Sequence, residues 1–328
     1  KSLNDYFPLA ESNNMSTLYA KENDNIDIVI TWVNQNDIKW KKLWKYRFGE
    51  KSSKQIDPDR YTDSGELKYC LRAIEKYIPW YNRIFIASNC QKPDWLVNMK
   101  DIEWIDHHEF MPSSSLPTFN SHAIEAAIYK IPNLSEKFLY FNDDFLLNAP
   151  IQRSAFFDNL GRAVVHLEEY GVVNDSHVSK AKKDYLIASN NSRRLIAEKY
   201  KVRMTRLHKH MPYAHRKSNL IDFEKEFPNE VKETICTPER SNKDINIMSF
   251  AAHYFGLIHN KSVLASNMNC SDYLYVRPSK MWELLWNKYK YKFLCFNDGD
   301  GSANNLFYKL QMHYYLDSKF PVPSSFEM

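Results

Sequence analysis

Glycine is scarce in this chain, seven in 328 residues, whereas aromatic residues are plentiful, with 21 Tyr, 19 Phe and 8 Trp. That balance argues against disorder and against a fold of many tight hairpins. Cysteine is also sparse. Cys70, Cys90, Cys236, Cys270 and Cys295 are odd in number and far apart, which suggests neither a zinc site nor a full disulfide framework, so a reducing, cytoplasmic setting fits best. Long hydrophobic runs are missing too: the longest, around Met248 to Ile258, is broken by His253 and falls short of the roughly 20 residues that a membrane span needs. No signal peptide opens the chain. A start at Lys1 rather than Met is expected of an excised fragment, whose anchor or targeting element would lie outside it. The length allows one large domain or two ordinary ones.

What is present is organised around Leu116 to Leu147. Phe138 to Phe141 is an apolar run of the kind buried on both faces of a parallel sheet, and Asn142, Asp143 and Asp144 sit where it ends. Ligands bind beyond the carboxyl ends of such strands, so these two acids are placed to share a divalent cation with a phosphorylated substrate; the alternative is an ordinary polar turn. Asn120 to Ile131 reads as a helix whose first turn, with Asn120, Ser121 and His122, offers backbone N–H groups to a phosphate.

In chain order, residues 1–25 form a polar lead-in and Ile26 to Val33 a first buried strand, whose Trp32 offers a flat wall for a base or sugar ring or simply joins the core. Asp37 to Phe48 follows with helical spacing. A second helix repeats Leu67, Leu71, Ile74 and Ile78, with Ser64 as its N-cap and Arg72 turned toward the preceding loop of Arg60, Asp63 and Glu66. Arg83 to Ser88 and Glu103 to Asp106 read as further strands. Alternating strands and helices predict a Rossmann-like, GT-A-like α/β half with a mostly parallel sheet over residues 26–160. Residues 161–279 are expected to form a mainly helical, basic second lobe, apart from one more strand at Ala163 to Leu167. Residues 280–328 return a strand, Lys292 to Phe296, whose following Asp298 would complete a metal shell.

The net charge is only +4, but Ser179 to Ser218 holds twelve Lys or Arg against two acids, a local charge of +10 that leaves −6 for everything else. Such a segment suits a polyanion (a nucleotide diphosphate, a phosphate-bearing polymer or an anionic membrane surface), or it is an ordinary solvated helical face.

Several long motifs now carry a resemblance. IDIVITWVN, RYTDSGELKYCLRAIEKYIPWYNRIFIASNCQKPDWL and LPTFNSHAIEAAIYKIPNLSEKFLYFNDDF resemble the first two conserved regions of the Stealth family of hexose-1-phosphate transferases. HKHMPYAHRKS through TPERSNKDINIMSFAAHYF resembles the third region, and FLCFNDGDGSANNLF with FPVPSSFE the fourth. The family includes capsule polymerases of bacteria, and the Lys, Asn, Ile and Tyr richness resembles that branch. The resemblance implies transfer of N-acetylglucosamine-1-phosphate from UDP-GlcNAc to a hydroxyl of a growing phosphate-bearing capsule chain, releasing UMP, with Mg²⁺ or Mn²⁺ as cofactor. It implies Asp143, Asp144, His210 and Arg240 as catalytic groups and Asp143, Asp144 and Asp298 as metal ligands. Asp27, Thr31, Trp32, Asn34, Arg60, Asp63, Glu66 and Arg72, with Asn120, Ser121 and His122, would frame the donor. One departure stands out: the family has Asp-Gly after Trp-Val, where this chain has Asn34-Gln35, so a carboxylate there is not required.

In this reading His210 is a candidate base, because a neutral imidazole can take the acceptor proton; the alternative is a structural histidine, with a carboxylate as the base. The expected setting is cytoplasmic, peripheral at the inner membrane and in contact with anionic lipid or export machinery; nucleic acid is not an expected partner. A metal-dependent glycosyltransferase releasing UDP and a non-catalytic polyanion-binding module remain as alternatives.

Overall fold

The computed structural model describes residues 25–49, 55–97, 99–181, 183–265, 272–296, 299 and 301–328. β1 (Ile26–Thr31) is an unbroken β-branched run, buried along almost its whole length. α1 (Ile38–Phe48) starts at Asp37, whose carboxylate accepts from the Trp40 N–H at 2.7 Å, and it buries Trp40 and Trp44. A short α2 (Pro58–Tyr61) precedes α3 (Glu66–Tyr77). The expected Ser64 cap is not the one used: Gly65 occupies the cap in the left-handed region, φ 88°, where a side chain would be strained. β2 (Ile84–Ala87), β3 (Ile102–Ile105), α4 (Ser121–Ala127), β4 (Lys137–Asn142) and β5 (Phe145–Leu147) complete the first half.

Beyond it the chain is less helical than its sequence suggests. β6 (Ala163–Val165), β7 (Leu167–Gly171), α5 (Asp175–Ala181), α6 (Asp184–Tyr200), β8 (Arg206–His208) and β9 (Tyr213–Arg216) lead into α7 (Lys217–Glu226) and α8 (Pro228–Cys236). A π-helical turn at Ile247–Ala251 runs into α9 (Ala252–Ile258). β10 (Ser262–Leu264), β11 (Tyr273–Tyr275), α10 (Met281–Trp286), β12 (Phe293–Cys295) and α11 (Leu306–Lys319) follow.

The central sheet has the order β3-β2-β1-β4-β9. Its first four strands are parallel, as expected of an α/β fold, and β9 closes the edge antiparallel to β4, with Lys137 opposite Arg216. The basic 161–279 region joins the main sheet through β9. Small sheets β10-β6, β11-β12-β5 and β7-β8 surround it.

Strand register brings two of the expected site residues together. Thr31 lies beside Asn142 at the carboxyl edge of the parallel strands, so Trp32 and Asp143 leave the sheet side by side. Behind them Phe138, Leu139, Tyr140 and Phe141 are essentially inaccessible; burying each large apolar side chain stabilises by about 1.5 to 3 kcal/mol. Where β9 meets α9, three buried imidazoles stack: His208 on His253 at 4.4 Å between ring centres, and His253 on His215 at 4.7 Å, with His166 edge-on to His208 at 5.8 Å.

Candidate active site

A cavity of about 700 Å³ opens at the carboxyl end of the sheet, lined by residues from both halves of the chain. The turn after β4 supplies its acids. Burial pushes the Asp143 carboxyl well above the usual range, and Asp144, Glu66 and Asp63 add like-charge repulsion. Glu66 begins α3 and accepts from the Ser64 N–H at 2.6 Å, while Asp63 accepts from the Gly65 N–H at 3.0 Å and is itself pushed up by burial. The three like charges acting on Asp143 would be relieved by a nearby cation. Asp144 faces His210 and Cys295, with one potential ligand atom of each within 4.8 Å of the others, and the Cys295 thiol donates to Asp144 Oδ2 at 3.3 Å. Asp144, His210 and Cys295 are thus near enough to share an ion, although Cys295 is a softer donor than a hard ion selects.

Cations line the same cavity. Arg240 reaches Ser121 Oγ through Nε at 3.3 Å and a terminal nitrogen at 2.9 Å. Its ionisation is disfavoured first by burial and then by Arg60, a second guanidinium in the cavity that is held by Asp184 at 2.7 Å. Two such groups set against each other gain from an anion placed between them. Asp244, buried, accepts from Asn120 Nδ2 at 2.9 Å, His122 Nδ1 at 3.1 Å and the Ser241 N–H at 3.0 Å, which fixes the Arg240 loop to the start of α4. Burial holds His122 below the usual imidazole range. His210 is lowered by the same cause, and its Nδ1 meets the Tyr213 hydroxyl at 2.9 Å.

The model of Stealth protein conserved region 2 matches residues 60–165 and that of conserved region 3 matches residues 209–257. The capsular polysaccharide phosphotransferase fcs1 of Haemophilus influenzae is 32% identical over 311 residues, covering 90% of this chain and 84% of its own length. The chain belongs to the Stealth family. Another Stealth relative, the capsular polysaccharide phosphotransferase SacB of Neisseria meningitidis serogroup A, is 35% identical over 324 residues, 95% of this chain, and the chain spans 59% of its length. The exopolysaccharide phosphotransferase CpsY of Mycobacterium tuberculosis is 31% identical over 92% of this chain and 58% of its own. Among solved structures, the galactosyltransferase LgtC aligns over 92% of this chain and 98% of its own with a TM-score of 0.41 and 10% identity, a likeness too weak to argue from.

Of the Stealth residues expected at the site, Thr31, Trp32, Arg60, Glu66, Ser121, His122, Asp143, Asp144, His210 and Arg240 line the cavity. Others do not. Asp27 lies at the opposite end of β1, accepting from Asn82 Nδ2 at 2.7 Å and the Ser135 N–H at 2.8 Å. Arg72 grips Glu327 through two hydrogen bonds at 2.7 and 2.6 Å, so it serves the C-terminal tail and not a donor. Asn34 caps its own turn through the Asn36 N–H at 2.8 Å, and Asn120 spends its amide on Thr237, Glu239 and Asp244. Asp63 is not among the lining residues, and its charge acts on Asp143. Asp298 lies outside the described residues.

The phosphate role expected of the α4 turn is likewise not supported. The helix has seven residues, and the N–H groups of His122, Ala123 and Ile124 are all taken by Asn120. At this turn the cavity is lined instead by the Ser121 hydroxyl and the Arg240 guanidinium that donates to it. Nor is the basic run a bare face: Arg193 and Arg194 share Asp175, Lys199 pairs with Glu226, and Arg216 pairs with Glu136. Sequence reasoning missed Glu125, Tyr140 and Tyr213, which also line the cavity. The available signal was the spacing of Glu125, one helical turn after His122 and so on the same face.

Proposed function

We propose that this chain transfers a hexose-1-phosphate, N-acetylglucosamine-1-phosphate from UDP-GlcNAc, to a hydroxyl of a growing capsule polysaccharide and releases UMP. The observation that carries this reading is the pairing, in one cavity, of crowded acids at Asp143 and Asp144 with the buried Arg240 and its neighbour Arg60. A nucleoside diphosphate needs both: a divalent ion across its phosphates and guanidinium donors on the remaining oxygens. The phosphotransferase activities for which SacB and fcs1 are named support phosphotransfer over sugar transfer.

In this reading Mg²⁺ or Mn²⁺ held by Asp143 and Asp144 neutralises charge on the diphosphate when bound. Arg240, steadied by Ser121, and Arg60 hold phosphate oxygens as charge redistributes in the transition state. Trp32, edge-on to Trp104 at 5.5 Å, offers an apolar wall for the base or sugar. The acceptor is a phosphate-bearing chain, and Lys183 contributes positive charge to the cavity wall.

The deciding experiment is to incubate the protein with UDP-GlcNAc, Mg²⁺ and a short phosphodiester-linked primer. UMP with a diester phosphorus resonance in the product is expected. UDP release with a phosphate-free glycan would establish attack on carbon and remove the phosphotransfer reading. A chelator is expected to stop the reaction reversibly.

A further inference from the structure

One titratable group lining the cavity is not among those assigned above to the diphosphate. Glu125 projects from α4 among cavity-lining residues, and the Tyr140 hydroxyl donates to its Oε1 at 3.4 Å while meeting Thr31 Oγ1 at 2.9 Å. Tyr140 is stacked on Tyr213, with ring centres 6.0 Å apart. The Glu125 charge acts on both tyrosines, as does that of Asp143 on Tyr140 and of Asp144 on Tyr213. His210, the base expected from sequence, is differently committed. One ring nitrogen meets Tyr213, and the imidazole stands in the cluster with Asp144 and Cys295, where a bound ion would occupy the other.

We propose that Glu125, and not His210, accepts the proton of the acceptor hydroxyl. The inference rests on the phosphotransfer reading. As the acceptor oxygen bonds to the β-phosphorus, its proton passes to the Glu125 carboxylate. The bond from that phosphorus to the bridging oxygen breaks, and UMP leaves with the electron pair. The groups facing Glu125 suit this task. Burial raises its carboxyl to about 7, opposed by the Arg240 charge and by the Tyr140 hydrogen bond, so at neutral pH an ionised fraction exists that binds a proton firmly. The other elements packed on α4 bury Val231, Thr234 and Ile235 from α8, Ile247, Met248, Phe250 and Ala251 from the π-helical turn, and Ile128 and Tyr129 from the 3-10 turn that follows α4, whose Lys130 is paired with Glu224.

The test is the pH profile of nucleotide release from UDP-GlcNAc with Mg²⁺ and the primer. Wild type is expected to show kcat/KM rising with pH through a limb near 7. Glu125→Gln should lower kcat by about 10²- to 10⁴-fold, the scale of a lost general base, and its residual rate should lack that limb. Glu125→Asp should keep the limb at a reduced rate. Infrared titration of the donor-free protein should show a carboxyl band changing near pH 7 that Glu125→Gln removes. A wild-type limb below 6.5, or a folded Glu125→Gln that keeps both the limb and a rate within about threefold, would overturn the assignment. The limb is read on whichever nucleotide leaves, so UDP in place of UMP would count against phosphotransfer while Glu125 is still decided by its own profile.

Discussion

An aspartate set among Asp144, Glu66 and Asp63 ionises against their charge as well as against its own burial. In the unfolded chain Asp143 loses its proton near the ordinary value of about 3.9, whereas the folded protein holds it to higher pH. Folding therefore takes up a proton between the two values, and this contribution to stability is complete below about pH 4 and lost as pH rises through the folded value. Asparagine cannot ionise. Metal-free Asp143→Asn is expected to melt above wild type at pH 8, with the gap closing toward pH 4, while its turnover falls at least about 10²-fold. A divalent ion should raise the wild-type melting temperature and leave the variant nearly unmoved. Thermal scans at both pH values, with and without chelator, check this, and coincident curves at pH 8 would contradict it.

Where β9 packs on α9, the imidazole stack makes the elements themselves sensitive to acid. Burial lowers His215 to about 3 and His166 to about 4, and holds His208 and His253 well below their ordinary value. Unfolded imidazoles bind protons near 6.5, so stability present above that pH is lost as pH falls toward the folded values; His166 by itself accounts for on the order of 3 kcal/mol. The melting temperature is expected to drop steeply below pH 6 with uptake of more than one proton, and His253→Phe should lessen the slope by about one proton. A flat profile from pH 7 to 4.5 would refute it. This edge was not legible in the sequence. YAHR becomes a strand by pairing with Lys137 to Tyr140, and no local periodicity marks it. The acids after β4 were legible because FLYF is buried on both faces and Asn-Asp-Asp must then leave the sheet. Arg72 was misread because helical spacing gives a face but not what lies opposite it. Glu125, among alanines in HAIEAA, was legible only through its spacing one helical turn after His122.

Across the whole molecule, the C-terminal tail binds α3 to the segment between β2 and β3. Glu327 accepts from Arg72 and the Ser324 N–H, and Lys68 lies 3.8 Å away; Leu96 bridges to Glu327, and the Val97 N–H reaches the Phe326 carbonyl at 2.9 Å. Arg72 and Glu327 side chains are only 12% and 3% exposed. Removing one partner of such a pair costs about 3 to 5 kcal/mol, so Glu327→Ala should lose that much in denaturant unfolding while donor KM stays near wild type. A raised KM with unchanged stability would return Arg72 to the donor site. The order β3-β2-β1-β4-β9 also bears on how the chain is made. β4 gains its first neighbour from residues already synthesised, but its other edge waits for residues 213–216. At about 5 to 20 residues per second, the ribosome leaves that edge open for roughly 4 to 15 seconds. An apolar strand with an unpaired edge invites other chains to join it, so the strand that delivers Asp143 and Asp144 is a point at which nascent protein needs a chaperone.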